Sequence, residues 1–203
     1  MHIAPLAIAI AVNVASGGTS FDSLKKDALA LERPNNAIAA LVGACDVTDG
    51  TVNGECLENT KGLKDKVAGK RVVLDLGGGY DQLLSFAGRP TGKARFAWAP
   101  LFDVGNGLAL TVGKPAKISE NGNVVMNKRP VDGDSPDEYT DLDLQRLAAT
   151  GMIGIQVVGK FGKTWTMSGG GKTVRGVQFE VEALRLYKVR GGDTIFESTQ
   201  SLK

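Results

Sequence analysis

Histidine and cysteine are the side chains that most often move protons or attack substrates near neutral pH, and this chain is poor in both. It contains one histidine, His2, and two cysteines, Cys45 and Cys56. His2 lies in an apolar N-terminal stretch that is typical of an export signal, so we expect a mature chain without imidazole. Such a chain has no Ser-His-Asp triad, no Cys-His pair and no zinc-histidine centre. The sequence therefore predicts a protein that is not an enzyme and that has no catalytic residue, metal or cofactor.

One glycine-rich stretch resembles a phosphate-binding loop. Thr166–Thr173 reads TMSGGGKT, which matches the pattern G-x-x-x-x-G-K-[ST] except that Thr166 replaces the first glycine. A phosphate loop must also open a helix, whose N-terminal amides face the phosphate. The residues that follow, Val174–Val181, alternate between apolar and polar as a strand does. The stretch is therefore predicted to be the loop of a β-hairpin.

An acidic run offers two further kinds of chemistry. Carboxylates in this number can coordinate calcium, but Pro136 stands at a ligand position and the spacing differs from that of an EF-hand. We therefore favour a solvated loop. Glycosidases need only two carboxylates, so a carboxylate-dependent hydrolase remains an alternative that no particular pair of acids supports. The run comprises Asp132, Asp134, Asp137, Glu138 and Asp141.

Several aromatic side chains lie near cationic ones in the sequence. Small barrels of the OB type use such a face to bind oligosaccharides or single-stranded nucleic acid. The other interpretation, which we favour, is that the aromatics are core residues with solvent-facing cations between them. A formal net charge of +2 also argues against nucleic acid. The candidate ligand-binding residues are Trp98, Phe102, Phe161, Lys163, Trp165 and Arg175.

The N-terminus predicts the compartment. Ile3–Val14 is almost entirely apolar and is followed by small residues, with Val14 and Ser16 at the positions expected before a cleavage site. The apolar stretch is shorter than the roughly 20 residues that a membrane-spanning helix needs. We assign residues 1–18 to a signal peptide and expect a periplasmic or secreted protein. The alternative is a buried N-terminal element of the mature fold.

The two cysteines fit an oxidising compartment. Cys45 and Cys56 flank Asp46–Glu55, a segment rich in Asp, Thr, Asn and Gly. Two cysteines around a polar loop most simply pair with each other outside the cytosol. Closing such a loop contributes about 3 kcal/mol in the chain-entropy description. A metal site is disfavoured because the pair supplies too few ligands.

The rest of the chain divides into a helical part and a β part. Residues 19–68 are predicted to form three helices, over Ser20–Glu32 with Ser20 as N-cap, from Asn35 or Asn36, and over Cys56–Val67. Residues 69–203 show short strands separated by glycine-rich turns. The predicted fold class is α+β, mainly β. Disulfide-stapled helices precede a small antiparallel barrel or sandwich, for which an OB-like arrangement is possible. Leu142–Leu147 fits either a strand or a helix.

The C-terminal stretch shows a change of strand phase. Val177, Phe179 and Val181 are odd-numbered apolar residues, whereas Leu184 and Leu186 continue the apolar set at even numbers. A change of one residue in a strand is typical of a β-bulge, which bends the strand. Residues 191–193, Gly-Gly-Asp, then predict a turn, and residues 194–196 predict a returning strand. We therefore expect a bent hairpin that serves two parts of the sheet.

These features together resemble an uncharacterised family of exported bacterial proteins. The resemblance rests on the signal-like N-terminus, the Cys45 and Cys56 segment, and four further stretches. It implies export and a β-rich architecture, and it implies no activity. We therefore expect a non-enzymatic binding or structural module whose partner is an unknown protein or envelope component. The four stretches are residues 69–70 (GK), 98–102 (WAPLF), 107–111 (GLALT) and 176–178 (GVQ).

Overall fold

The computed structural model describes residues 20–31, 34–45, 58, 60–78, 84–87, 93–98, 101–105, 107–127, 129–134 and 141–202. These residues form a mainly β fold with short helices. The helices are α1 Phe21–Lys26, α2 Pro34–Val42, α3 Leu63–Val67 and α4 Asp141–Ala149. The strands are β1 Leu29–Ala30, β2 Val72–Gly78, β3 Leu84–Ala87, β4 Lys93–Trp98, β5 Leu101–Gly105, β6 Leu108–Thr111, β7 Lys117–Ile118, β8 Val124–Val125, β9 Arg129–Asp134, β10 Ile153–Gly169, β11 Lys172–Lys188 and β12 Thr194–Ser198.

One long hairpin, β10–β11, forms the centre of the sheet. Its two strands have 17 residues each. The stretch that resembles a phosphate loop is the hairpin turn, as predicted: Gly169 pairs with Lys172, and the turn glycines Gly170 and Gly171 have φ of 55° and 72°. Positive φ at both central residues gives the turn a twist that matches the twist of the two flanking strands, and glycine adopts this φ without strain.

The predicted bulge lies at Glu182. Val158 pairs with Ala183 and Gly159 pairs with Val181, so Glu182 is the extra residue. The bulge changes the phase of β11 and thereby directs Val181, Leu184 and Leu186 into the same core. A second irregularity lies between Phe161 and Thr164. The two strands predicted over residues 153–161 and 164–167 are one strand, β10, which continues through this irregularity.

The hairpin binds different strands along its length. Near its open end β10 pairs with β2 and β11 pairs with β12, whereas near the turn β11 pairs with β6. The described strands follow the path β1-β2-β10-β11-β12-β9-β4-β3, with β6 beside β11 and β5 beside β6. The β7–β8 pair forms a separate small sheet around the predicted Asn121-Gly122 turn.

Two features of the predicted sheet are wrong. Within the described strands the path is open, because β1 and β3 end it and do not pair with each other, so the barrel is not closed. The sheet is also mixed, since β1 pairs with β2 and β6 pairs with β11 in the parallel direction. β1 has two residues, and a strand so short ends a sheet more readily than it closes one.

The helical segment is shorter and more interrupted than predicted. Ser20 caps α1 as expected, by accepting a hydrogen bond from the Ser23 backbone N–H at 3.2 Å. The helix ends at Lys26 instead of Glu32, because the next residues join the sheet as β1. The second helix, α2, begins at Pro34 and not at Asn35 or Asn36, and the first position of a helix suits a residue with fixed φ and no N–H. Gly62, at φ 69°, separates α3 from the residues before it.

The structure also decides two predictions for the second half of the chain, one on Leu142–Leu147 and one on the acidic run. Leu142–Leu147, which fitted either a strand or a helix, lies in α4. Part of the predicted acidic loop is strand β9, which contains Asp132 and Asp134, and residues 135–140 lie outside the described residues. None of the helices formed by the described residues is long and apolar enough to cross a membrane.

The sheet carries helices on both faces. One face packs against α2, α3 and α4 and forms the main core. α1 packs against the other face, in a separate cluster formed by Phe21, Leu24, Val73, Val158 and Ala183. Alternation along the strands explains the division, since successive side chains of a strand point to opposite faces.

Candidate functional site

A row of polar side chains crosses four strands on the face that α1 covers. Gln156 pairs with Asp75 on one side and with Arg185 on the other, and Arg185 pairs with Glu197. Directly opposed residues of neighbouring strands share a face. The surface under α1 therefore has an apolar part, formed by the cluster above, and a polar part, formed by this row.

The most buried part of the row lies around Arg185. We define the Arg185 junction as Arg185 and three residues that contact it, Phe21, Asp22 and Glu197. The Arg185 side chain is 15% exposed and contacts both carboxylates, with its Nη2 donating to Asp22 Oδ2 at 2.9 Å and to Glu197 Oε1. Its guanidinium lies 4.3 Å from the centroid of the Phe21 ring, within the range of a cation–π interaction. One cation thus joins α1 to β11 and β12.

The junction favours the charged forms of Arg185 and Asp22. Burial opposes the charge on Arg185, but the hydrogen bonds to Asp22 and Glu197 and the charges of these carboxylates together outweigh it and raise the pKa of Arg185. The hydrogen bond from Arg185 lowers the pKa of Asp22, against a smaller opposing effect of burial. A glycosidase needs one carboxyl group with a raised pKa as its acid. The carboxylates of Asp22 and Glu197 both bind the guanidinium of Arg185, so the geometry suits an ionic link between α1, β11 and β12.

A second set of contacts surrounds Asp75. Gln156 Nε2 donates to Asp75 Oδ2 and Tyr187 Oη donates to Asp75 Oδ1, both at 2.7 Å. Lys25 of α1 donates to Gln156 Oε1 at 3.3 Å. The Tyr187 ring lies over Gly154, where a Cβ would overlap it. Burial raises the pKa of Tyr187, and the hydrogen bond and charge of Asp75 raise it further, so the hydroxyl remains a donor.

The tyrosine gives a prediction about alkaline pH. A tyrosine whose pKa is raised by folding stabilises the folded state fully below its unfolded pKa of about 10, and this stabilisation is lost as the pH rises through the higher folded value. Tyr187→Phe should lower the free energy of unfolding by about 0.5–1.5 kcal/mol at pH 7. Urea unfolding of both proteins from pH 7 upward measures the difference. The difference should stay constant to about pH 9 and shrink above about pH 10; a difference that grows with pH would contradict it.

Two of the four predicted ligand-binding aromatics, Phe161 and Trp165, have described side chains, and these two lie on opposite faces of the hairpin. Phe161 is half-buried and packs edge-to-face on Phe179, at 5.4 Å between ring centroids, and both border or belong to the main core. Trp165 pairs with Gly176, whose neighbour Val177 points into that core. Trp165 therefore lies on the opposite face of the hairpin. The side chains of Trp98 and Phe102 lie outside the described residues.

Trp165 forms a small core of its own. It is 8% exposed and packs with Ala109 and Val174. Its indole N–H donates to Thr111 Oγ1 at 3.0 Å, and the threonine hydroxyl donates to the Gly113 carbonyl at 2.8 Å. The ring occupies the space where a Cβ of Gly176 would stand. In the folded chain this indole is packed and hydrogen-bonded between β6, β10 and β11.

The cations of the predicted face lie at the turn end of the hairpin. Lys163 and Arg175 are exposed there, and Lys172 lies at the turn. The β7–β8 pair packs against this end: Ile118 joins the Trp165 cluster, and a Cβ at Gly122 would stand 2.5 Å from Lys172 Cδ. We call the following exposed residues the cationic end: Lys114, Lys117, Lys163, Lys172 and Arg175.

The cationic end concentrates positive charge. Residues 107–127 and 162–178 contain these five cations and one acid, Glu120, an excess of four positive charges, whereas the whole chain sums to +2. None of the five forms an ion pair with another residue in the part of the chain that the structure describes. The rest of the chain therefore carries a net negative charge.

The predicted cysteine pair is described in part. Cys45 is 5% exposed and its Sγ lies 3.6 Å from Thr60 Oγ1. Cys56 and residues 46–57 lie outside the described residues. The pairing therefore stays a prediction.

Sequence reasoning missed the Arg185 junction. Arg185 and Tyr187 alternate with Leu184 and Leu186, which marked them only as residues of the polar face. Their partners Asp22 and Asp75 are more than 100 positions away in the chain, and no periodic pattern links residues at that distance. The available signal was the Phe21-Asp22 pair directly after a helix N-cap, which combines an apolar and an anionic group on one short element.

The fold and these surfaces define a mainly β protein that is built on one long bent hairpin and carries helices on both faces of an open sheet. The chain belongs to a family of unknown function (DUF6066), which matches residues 2–197. No curated protein and no solved structure matches it. The expected membership of an uncharacterised family is thus confirmed, and the family carries no activity to transfer.

Proposed function

We propose that this protein is an exported, non-enzymatic module that binds an anionic lipid surface of the bacterial envelope through its cationic end. The observation that carries the proposal is the excess of exposed cations at the turn end of the hairpin, which form no ion pair with any residue that the structure describes. Each Lys or Arg near an anionic membrane surface contributes about 1 kcal/mol of attraction. Five such residues on one end suffice for reversible, salt-dependent binding.

The proposed surface differs from the exposed apolar patch expected of a binding module. Among the large hydrophobic residues that the structure describes, Val189 is the one that is exposed. Attraction by charge therefore has more support than apolar docking. The oligosaccharide or single-strand alternative depends on aromatic stacking, and within the described residues its aromatics Phe161 and Trp165 are packed. Trp98 and Phe102 remain its candidates.

Vesicle sedimentation tests the proposal. The protein should bind vesicles that contain phosphatidylglycerol, should not bind phosphatidylcholine vesicles, and should be released at high salt, because screening shortens the reach of charge. The variant Lys163→Glu/Lys172→Glu/Arg175→Glu should bind the anionic vesicles at least tenfold more weakly. The matched control, Lys61→Glu/Lys64→Glu/Lys66→Glu, changes the net charge equally on other exposed residues.

The two variants separate a local surface from overall charge. Equal losses in both would mean that net charge, not the cationic end, governs binding. A protein that ignores anionic vesicles but binds single-stranded DNA, with a change in tryptophan emission, would replace the proposal by the single-strand alternative.

Export and the disulfide belong to the same proposal. Cys45 does not present a free thiol, which supports pairing with Cys56, the other cysteine of the chain. We expect the natively expressed protein to lack residues 1–18 and to gain the mass of two hydrogens on reduction. Intact mass spectrometry with and without reductant measures both. A full-length chain with two free thiols would contradict export.

A further inference from the structure

The polar side chains under α1 make two kinds of contact. Some are with other residues of the sheet, and others are with residues of α1. Arg185 keeps its carboxylate partner Glu197 on β12 without α1, and Gln156 keeps Asp75 on β2. α1 adds Asp22 to the first pair and Lys25 to the second. Arg185 and Gln156 therefore each have a polar partner within the sheet as well as one on α1.

The apolar part of the surface is also formed by the sheet. Val73, Val158 and Ala183 come from three neighbouring strands, and α1 covers them with Phe21 and Leu24. We name Val73, Val158, Ala183 and Arg185 the α1 site. It is a preformed patch with a cation at its rim. Its complement is a helix with an aromatic residue, a carboxylate next to it, and an aliphatic residue two positions after the carboxylate.

α1 is a short helix that lies outside the main core. It has six residues, and a helix of that length is not stable alone. It buries two side chains, and its Asp22 is 73% exposed, so water screens the ion pair with Arg185. The main core contains neither of its buried residues. α1 can therefore leave without opening the main core.

We propose that α1 is a displaceable plug of a helix-binding site, and that the site accepts a helix of a partner protein with the pattern Phe-Asp-x-Leu. Charge complementarity to Arg185 and the apolar patch determine this pattern, which the chain's own residues 21–24 display. The site is separate from the cationic end and does not depend on lipid binding. Partner binding would require α1 to release Arg185, so the site is regulated by its own plug.

A peptide competition experiment tests the site. The full chain with Phe21→Ala/Leu24→Ala, which disables the plug, is titrated with a fluorescently labelled peptide of residues 20–31. It should bind the peptide saturably, and the unaltered chain should bind at least tenfold more weakly because its own α1 competes. Adding Arg185→Gln to the plug variant, or reversing the aspartate of the peptide to lysine, should weaken binding at least tenfold.

Native-state hydrogen exchange tests displacement in the unaltered protein and does not depend on whether the variant folds. The amides of α1 should exchange through local opening, at least 100-fold faster than those of β10 and β11 that lie in the main core. Exchange of α1 at the rate of those strands would overturn the proposal. So would peptide binding that does not respond to Arg185→Gln, or dimerisation of the plug variant in place of peptide binding.

Discussion

Replacing Gly159 by alanine is expected to destabilise the protein by about 1–3 kcal/mol or more, whereas the same change at Gly162 should cost less than about 1 kcal/mol. Both glycines lie in β10, three positions apart. A Cβ at Gly159 would overlap the backbone carbonyl oxygen of Glu180 and stand 2.8 Å from Phe179 Cε1. A Cβ at Gly162 meets no atom closer than 3.5 Å.

The backbone contact makes Gly159 costly. A side chain can rotate away from a new methyl group, but Glu180 belongs to the pairing of β11 with β10, and Gly159 lies beside the bulge at Glu182. Moving the strands apart would disturb the bulge that directs both halves of β11 into one core. Urea unfolding followed by far-UV circular dichroism compares the two variants. Equal stabilities would show that the strands separate freely at this point.

The bulge in β11 and the turn between β10 and β11 could be predicted because their signals are local. The change of phase between Val181 and Leu184 requires one extra residue, and Glu182 is that residue. The glycines after β10 predicted a turn for the same reason, since their sequence neighbours alternate as strands. These features depend on residues within about ten positions of each other, where periodicity carries information.

The open, mixed sheet could not be predicted because its signals are distant. β1 has two residues, too few for any period, and it joins β2 across more than 40 positions. Its Leu29 and the neighbouring Leu31 fall within the helix predicted over Ser20–Glu32, because Leu24, Ala28 and Leu31 also match the helical spacing. Packing against the main core decided between the two patterns. Local propensity is a weak prior that tertiary contacts override.

The two candidate surfaces were hidden for different reasons. Net charge is a sum, and +2 conceals an excess of four positive charges at one end of the hairpin. The Arg185 junction depends on contacts between α1 and β11, which sequence spacing cannot reveal. Strand β11 contributes a residue to each surface, from different halves of its length. Arg185 lies beyond the Glu182 bulge in the half that pairs with β12, and Arg175 lies in the half that pairs with β6.

Replacing Phe179 by alanine is expected to lower the free energy of unfolding by about 3–5 kcal/mol. Phe179 is 1% exposed and is among the largest fully buried side chains of the described residues. Its removal leaves a cavity in the main core and removes the edge-to-face contact with Phe161, which contributes about 0.5–1.5 kcal/mol. Since folded domains are stable by about 5–15 kcal/mol, this variant should be marginally folded at 37 °C.

A double-mutant cycle links this prediction to Gly159. Val189→Ala, at an exposed position 45% accessible, serves as the control and should change the unfolding free energy by less than about 0.5 kcal/mol. Phe179→Leu removes the ring that a Cβ at Gly159 would meet but leaves the Glu180 carbonyl in place. If the backbone overlap dominates, Gly159→Ala should cost the same in the Phe179→Leu background as in the unaltered protein. A coupling above about 0.5 kcal/mol would instead show that the ring, and not the strand backbone, excludes a side chain at Gly159.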